Sequence, residues 1–555
     1  LKKKLSFLLV LVLALGTFLA ACSSSKNTAS NEGTKNNDGG GTKTTETKKE
    51  QVLNLLASAE IPSMDSTLAT DNVSFNVMNN VYEGLYRLGQ DNEPVLGMAA
   101  EEPKVSADGK VWTFKLRDAK WSNGDPVTAN DFVFSWRRAV DPATAAEYAY
   151  MLYDVKNAEE INTGKAKVDT LGIKAIDNKT LEITLKNKLP YFKSLMSFAT
   201  FFPENEKFIK AQGKNYALEA ANGVYNGPFV LSDWKHEQSF QLKKNPTYWD
   251  KDAVKLETIN FNIVKDTATG VNLYETKKAD RVTLNAEFVD KYKNDKNFAT
   301  TPDTTVYFLR LNEKNKVLAN RDARKAIDMA WDKKSFVDVI LNNGSKPANF
   351  LVPRAFAKGP DGKDFRDTNG DLSKLDVAEA KKLWAKAKKE AGFDKVSLEL
   401  LNYDDDNSKK ISQYLKEQLE TNLDGLSISI KPQPFKQKLD LESKGNYDFS
   451  FAGWGPDYQD PMTFLDMFVT GGAHNQMGYS NKQYDKLIND SKGPLLNDLG
   501  ARWKAMLDAE KILMDDAAIS PMYQRGNAYL QREYVKGIVD HPFGGDFGYK
   551  WAYIQ

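Results

Sequence analysis

The chain has 555 residues, too many for one hydrophobic core, so more than one lobe is expected. Lys plus Arg number 76 and Asp plus Glu 75, a balance that gives no basic surface for nucleic acid. The single cysteine, Cys22, excludes a disulfide framework and any cysteine-built metal site, and His236, His474 and His541 lie too far apart for a zinc motif.

Lys2 to Lys4 followed by the apolar run Leu5 to Ala21 reads as a signal peptide over residues 1–21. The run is shorter than the ~20 residues a spanning helix needs, and it ends in small side chains. Leu19-Ala20-Ala21-Cys22 resembles the bacterial lipobox, which implies cleavage before Cys22 and a diacylglycerol on its sulfur. Acyl burial contributes about 0.8 kcal/mol per methylene, enough to anchor the protein to a cell membrane at its outer face. Residues 22–51 are rich in Ser, Asn, Gly, Thr and Lys and are expected to form a flexible tether reaching on the order of 30 Å.

Val52 to Ala59 reads as a strand ended by Ile61-Pro62. Asp71 to Leu85 carries Val73, Val77, Val81 and Leu85 at helical spacing. Pro94 to Trp121 alternates like strands around Asp108-Gly109, Thr128 precedes a helix over Ala129–Val140, and Leu181 to Leu185 is another strand. Two strands follow Gly223, then Thr258–Val264 and Val306–Asn312. Helices are expected over Arg321–Leu341, Val377–Ala391 and Ser408–Leu423. Val396–Leu401, the Ser408 helix and Ser427–Lys431 make a βαβ unit. The order suggests lobes assembled from non-adjacent segments, with a cleft between them.

Enzyme signatures are absent: no GxSxG, GxxxxGK[ST] or GxGxxG occurs. Asp361 to Asp371 has the composition of a calcium loop, but the first ligand position falls on Phe365, which leaves a polar surface loop. Asp404 to Asp406, between a strand and a helix, is read as a helix cap.

The organising stretch is Asp448 to Phe464, DFSFAGWGPDYQDPMTF. Phe449, Phe451 and Ala452 alternate with Ser450 as a buried strand, and Gly453-Trp454-Gly455-Pro456 then breaks regular structure. Asp457 follows, between Trp454 and Tyr458. An acid there either caps the next helix or holds a cation out of water.

VYEGL at Val81–Leu85, DGKVWTFKLRDAKWSNGDPVTANDFVFSWRRAVDP at Asp108–Pro142 and NGPFVLSDW at Asn226–Trp234 resemble the family 5 extracellular solute-binding proteins. So do NPTYWD at Asn245–Asp250 and GWGPDYQDP at Gly453–Pro461. The resemblance implies an α/β fold of the type II periplasmic-binding-protein kind: two lobes with a hinge, mixed sheets, an additional domain and a ligand cleft between the lobes. Mapped here, domain I covers 52–88, 223–312 and 527–555, domain II 89–222 and domain III 313–526.

The implied function is capture of oligopeptides and delivery to an ABC transporter permease, by a monomer without cofactor or catalysis. Asp457 is implied to bind the peptide's α-ammonium. Trp454, Gly455, Pro456, Tyr458, Val73, Ser74 and Phe75, with Tyr148, Asn402 and Tyr403, are implied to contact the ligand. A secreted hydrolase with an unrecognised site, a peptide-pheromone sensor and a surface adhesin on the same body are the alternatives.

Overall fold

The computed structural model describes residues 49–555, which form one compact unit. The expected signal peptide over 1–21, Cys22 and all but the last residues of the expected tether over 22–51 lie outside the described residues.

Val52–Ala57 pairs in parallel with Thr258–Ile263, which joins chain segments 206 residues apart into a four-stranded sheet with Ser239–Lys244 and Phe229–Lys235. A second four-stranded sheet is local in sequence, with Val111–Lys115 and Ile173–Asp177 flanking Thr180–Thr184 and Lys104–Val105 at one edge. Ala129–Val140 packs by it, with Asp131 and Thr128 forming a capping box.

The largest sheet has seven strands and is built around two long antiparallel strands, Phe298–Leu311 and Ile519–Gln531. Their pairing is continuous from Phe298 to Pro302, breaks, and resumes at Val306. Arg281–Thr283 extends one side; Phe449–Trp454, Val396–Tyr403 and Leu426–Gln433 extend the other. The last three include the expected βαβ unit, its parallel strands joined by the helix Asp406–Asn422. Gly526 lies against the backbone of Gly344, where a Cβ would come within 2.2 Å of a carbonyl carbon, so only glycine permits that crossing.

Local signals set most helix ends. Asp376 caps Val377–Ala391 and Gly392, in the left-handed region, closes it. Asp405 accepts from Ser408 N–H and caps the helix from Asp406, the role read for the acidic run.

Three expectations need correction. The first helix spans Asn72–Val81 and stops short of Leu85. Asn226 pairs with both backbone groups of Glu83, accepting from its N–H and donating to its C=O, and this holds the chain extended there. The helix expected over Arg321–Leu341 ends at Met329, and Asp332 starts a new turn by accepting from Lys334 and Ser335 N–H. The loop Asp361–Asp371 is polar only in part. Phe365 and Arg366 are fully buried, and Arg366 forms a two-pronged ion pair with the equally buried Glu510, at 2.8 and 2.5 Å.

Candidate functional site

Phe449–Trp454 lies inside the large sheet, between Phe298–Leu311 and Val396–Tyr403. It is covered on both faces, which is why Ser450 is buried along with Phe449, Phe451 and Ala452. Gly453 accommodates the Tyr307 ring, which a Cβ would meet at 2.7 Å. The chain then leaves the sheet at Gly455-Pro456 and opens onto a cavity of about 160 Å³.

The cavity draws its walls from separate parts of the chain: residues 70–75, 147–148, 303–310, 435–443, 452–457 and 541–546 all contribute. Of the residues expected at the site, Asp457, Trp454, Gly455, Pro456, Phe75, Tyr148 and Tyr403 line it.

The other four do not. Val73 is on the half-buried side of its helix. Ser74 is spent locally, its hydroxyl donating to Asp71 at 2.7 Å and accepting from Ser63 N–H. Asn402 turns its amide onto Ser408 C=O and the Ser412 hydroxyl. Tyr458 stacks on Tyr191 behind the wall, with ring centroids 5.2 Å apart.

Asp457 does not cap the following helix, Met462–Leu465, whose N-cap is Pro461; Asp460 accepts from Met462 N–H at 3.0 Å just ahead of it. The Asp457 carboxylate is buried, 4% exposed, and accepts from the Tyr148 hydroxyl at 3.3 Å and the Thr463 hydroxyl at 3.5 Å. Its own N–H donates to Thr463 Oγ1 at 2.9 Å. Burial, reinforced by the nearby Asp466 charge, holds its carboxyl well above the ordinary range, and neither hydroxyl offsets this. Among the described residues, no cation is among the groups acting on it. Asp466 differs in having Lys492 at 3.4 Å, though burial still pushes it up to about 6.

The rings beside Asp457 form a packed aromatic wall. Tyr148 lies parallel to Trp454 with centroids 6.4 Å apart, and Phe75 meets Tyr148 edge-on at 5.7 Å. The Pro456 carbonyl accepts from Gly544 N–H at 2.9 Å, which ties the loop 541–546 to the Asp457 turn.

Several lining residues carried no signal in the sequence. His474 sits edge-on to both Tyr148 and Trp454, and burial with the Arg310 charge pushes its imidazole down to about 3, so it is neutral. Burial likewise takes His541 down to about 4. Arg525 is held between Asp303 at 2.6 Å and Asp546 at 3.0 Å. Lys438 pairs with Glu442 at 2.7 Å, and burial still lowers its ammonium to about 8. Among the described residues no group of three or more His, Cys, Asp or Glu could hold a metal ion.

The family description "Bacterial extracellular solute-binding proteins, family 5 Middle" matches residues 93–476, more than half of the chain. The chain belongs to this family. Among curated family 5 relatives, the dipeptide-binding protein DppE of Bacillus subtilis is 38% identical over 508 residues, covering 91% of this chain and 92% of DppE. The solved structure of Listeria monocytogenes OppA bound to peptide superposes with a TM-score of 0.89 at 49% identity, over 92% of this chain and all of that one. The substrate-binding domain of an oligopeptide ABC transporter from Bacillus anthracis gives a TM-score of 0.90 at 48% identity, over 92% and 99%. The fold is therefore the type II periplasmic-binding-protein kind used by family 5 proteins.

Proposed function

We propose that this family 5 protein captures peptides in the enclosed cavity for an ABC importer, holding the ligand's N-terminal ammonium on Asp457. The observation that carries the reading is a buried carboxylate facing the cavity with two weak hydroxyl donors and, among the described residues, no cation. Such a group is costly until a positive charge arrives, so its free energy favours an ammonium-bearing guest. The names of the relatives, dipeptide- and oligopeptide-binding proteins, support the ligand class.

The backbone of Trp454, Gly455 and Pro456 borders the same space and suits pairing with an extended peptide chain. Backbone recognition tolerates many side chains, with water filling what they leave. Closure is assigned to the two long strands Phe298–Leu311 and Ile519–Gln531, whose pairing breaks after Pro302. The division into domain I (52–88, 223–312, 527–555), domain II (89–222) and domain III (313–526) belongs to this reading. It is supported by the parallel pairing of Val52–Ala57 with Thr258–Ile263 and by the locality of the second small sheet. We assign the protein no catalytic step, and place it as a monomer on the outer face of the cell membrane, anchored through Cys22.

Isothermal titration with one peptide in free and N-acetylated form tests the reading. Acetylation removes the charge Asp457 requires and is expected to weaken binding at least about thirtyfold, from the 2–5 kcal/mol cost of truncating a buried charge pair. Equal affinities would remove Asp457 from its assigned role.

A further inference from the structure

We infer that Arg310 makes this cavity select peptides carrying a carboxylate near their amino terminus, an inference that rests on the peptide-binding reading above. Among the described residues, three buried polar atoms of the cavity wall have no hydrogen-bond partner: Arg310 Nε, Trp454 Nε1 and His474 Nε2. Arginine and tryptophan nitrogens can only donate, so the first two require an acceptor. Arg310 is 4% exposed, and of its terminal nitrogens only Nη1 is engaged, donating to His474 C=O at 2.8 Å and Gln476 Oε1 at 3.1 Å. Neither partner is a carboxylate.

The other cationic groups around the cavity are already paired with carboxylates. Arg525 is neutralised by Asp303 and Asp546. Glu442 receives Lys438 and the Ser450 hydroxyl; Glu147 receives only the Ser443 hydroxyl, and the charge of Arg310, though not in salt-bridge contact, favours the ionised form of both carboxylates. Arg310 alone among the cavity's guanidinium groups faces it without an ion pair among the described residues.

The cavity thus has an acceptor pole at Asp457 and a donor pole at Arg310. They are linked by Tyr148, which donates to Asp457, and by His474, which packs on Tyr148 and accepts from Arg310 through its backbone. A ligand satisfying both poles carries an ammonium and, within a residue or two, a carboxylate. That carboxylate is an acidic side chain or the C-terminus of a very short peptide. The fork of a guanidinium suits either.

The test uses the full chain and alanine tripeptides with Glu or Gln at each position, with free or amidated C-termini, titrated against wild type, Arg310→Gln and Arg310→Lys. Wild type is expected to prefer the carboxylate-bearing peptide by about tenfold or more, the range for hydrogen bonds to a charged group. Arg310→Gln loses that preference while still binding the amidated Gln peptide, which has an ammonium but no carboxylate, and Arg310→Lys keeps part of it. A Glu-over-Gln gap that survives amidation assigns the pole to side chains; a gap only between free and amidated peptides assigns it to the terminus. No gap of either kind, or one undiminished in Arg310→Gln, overturns the inference. Failure of the peptide reading shows separately, as indifference to N-acetylation. Thermal melts of the variants, together with their binding of the peptide that lacks a carboxylate, identify a folding defect.

Discussion

Replacing Asp457 with Asn is expected to weaken binding of a peptide with a free amino terminus by about 2–5 kcal/mol, at least thirtyfold, while N-acetylated peptides lose little. The substitution keeps the shape of the side chain and its hydroxyl neighbours Tyr148 and Thr463, and removes only the charge. The empty protein moves the opposite way. The Asp457 carboxyl is held above its ordinary 3.8 by burial and by Asp466, so the folded state retains a proton that the unfolded chain gives up. Its contribution is therefore neutral below pH 3.8 and increasingly destabilising as pH rises toward the elevated folded value. Asp457→Asn removes that cost, so the variant melts higher than wild type at neutral pH without peptide.

Peptide binding reverses the shift, because an ammonium favours the ionised carboxylate and drives the proton off. Affinity then falls as pH is lowered through the raised value, and titrations in buffers of different ionisation enthalpy register proton release in wild type and none in Asp457→Asn. An unchanged affinity in the variant, or binding without proton release, would count against the assignment.

The second large effect concerns stability. Arg366→Met is expected to cost about 3–5 kcal/mol in chemical denaturation, because it leaves Glu510 charged in a place where neither side chain is exposed to water. Glu510 also accepts from Leu351 and Val352 N–H and from the Asn369 amide. Replacing both partners with apolar residues relieves the stranded charge but orphans those two backbone donors, so the double variant recovers only part of the loss. A loss below about 1 kcal/mol in the single variant would mean that solvent reaches Glu510 after all.

The sequence disclosed those parts of the fold and site whose causes are local. A strand that ends at Gly453-Trp454-Gly455-Pro456 and an acid just after it are written in consecutive residues, and the turn is built as that order suggests. The helix cap in the acidic run Asp404 to Asp406 was legible for the same reason. What failed depended on distant partners. Nothing near Glu83 announces that Asn226 will hold its backbone extended and end the first helix early. Asn402 and Tyr403 are neighbours, yet strand alternation sends one onto the helix from Asp406 and leaves the other on the cavity. His474, Arg310 and Arg525 come from three remote segments, and only the folded body reveals that they share a wall with Asp457.

The most direct measurement is a crystal structure of the protein with a defined peptide bound. The account predicts the peptide's terminal nitrogen about 3 Å from an Asp457 carboxylate oxygen, with the lobes closed around the chain. A peptide lying with its carboxyl end at Asp457, or seated outside the cavity altogether, would contradict it.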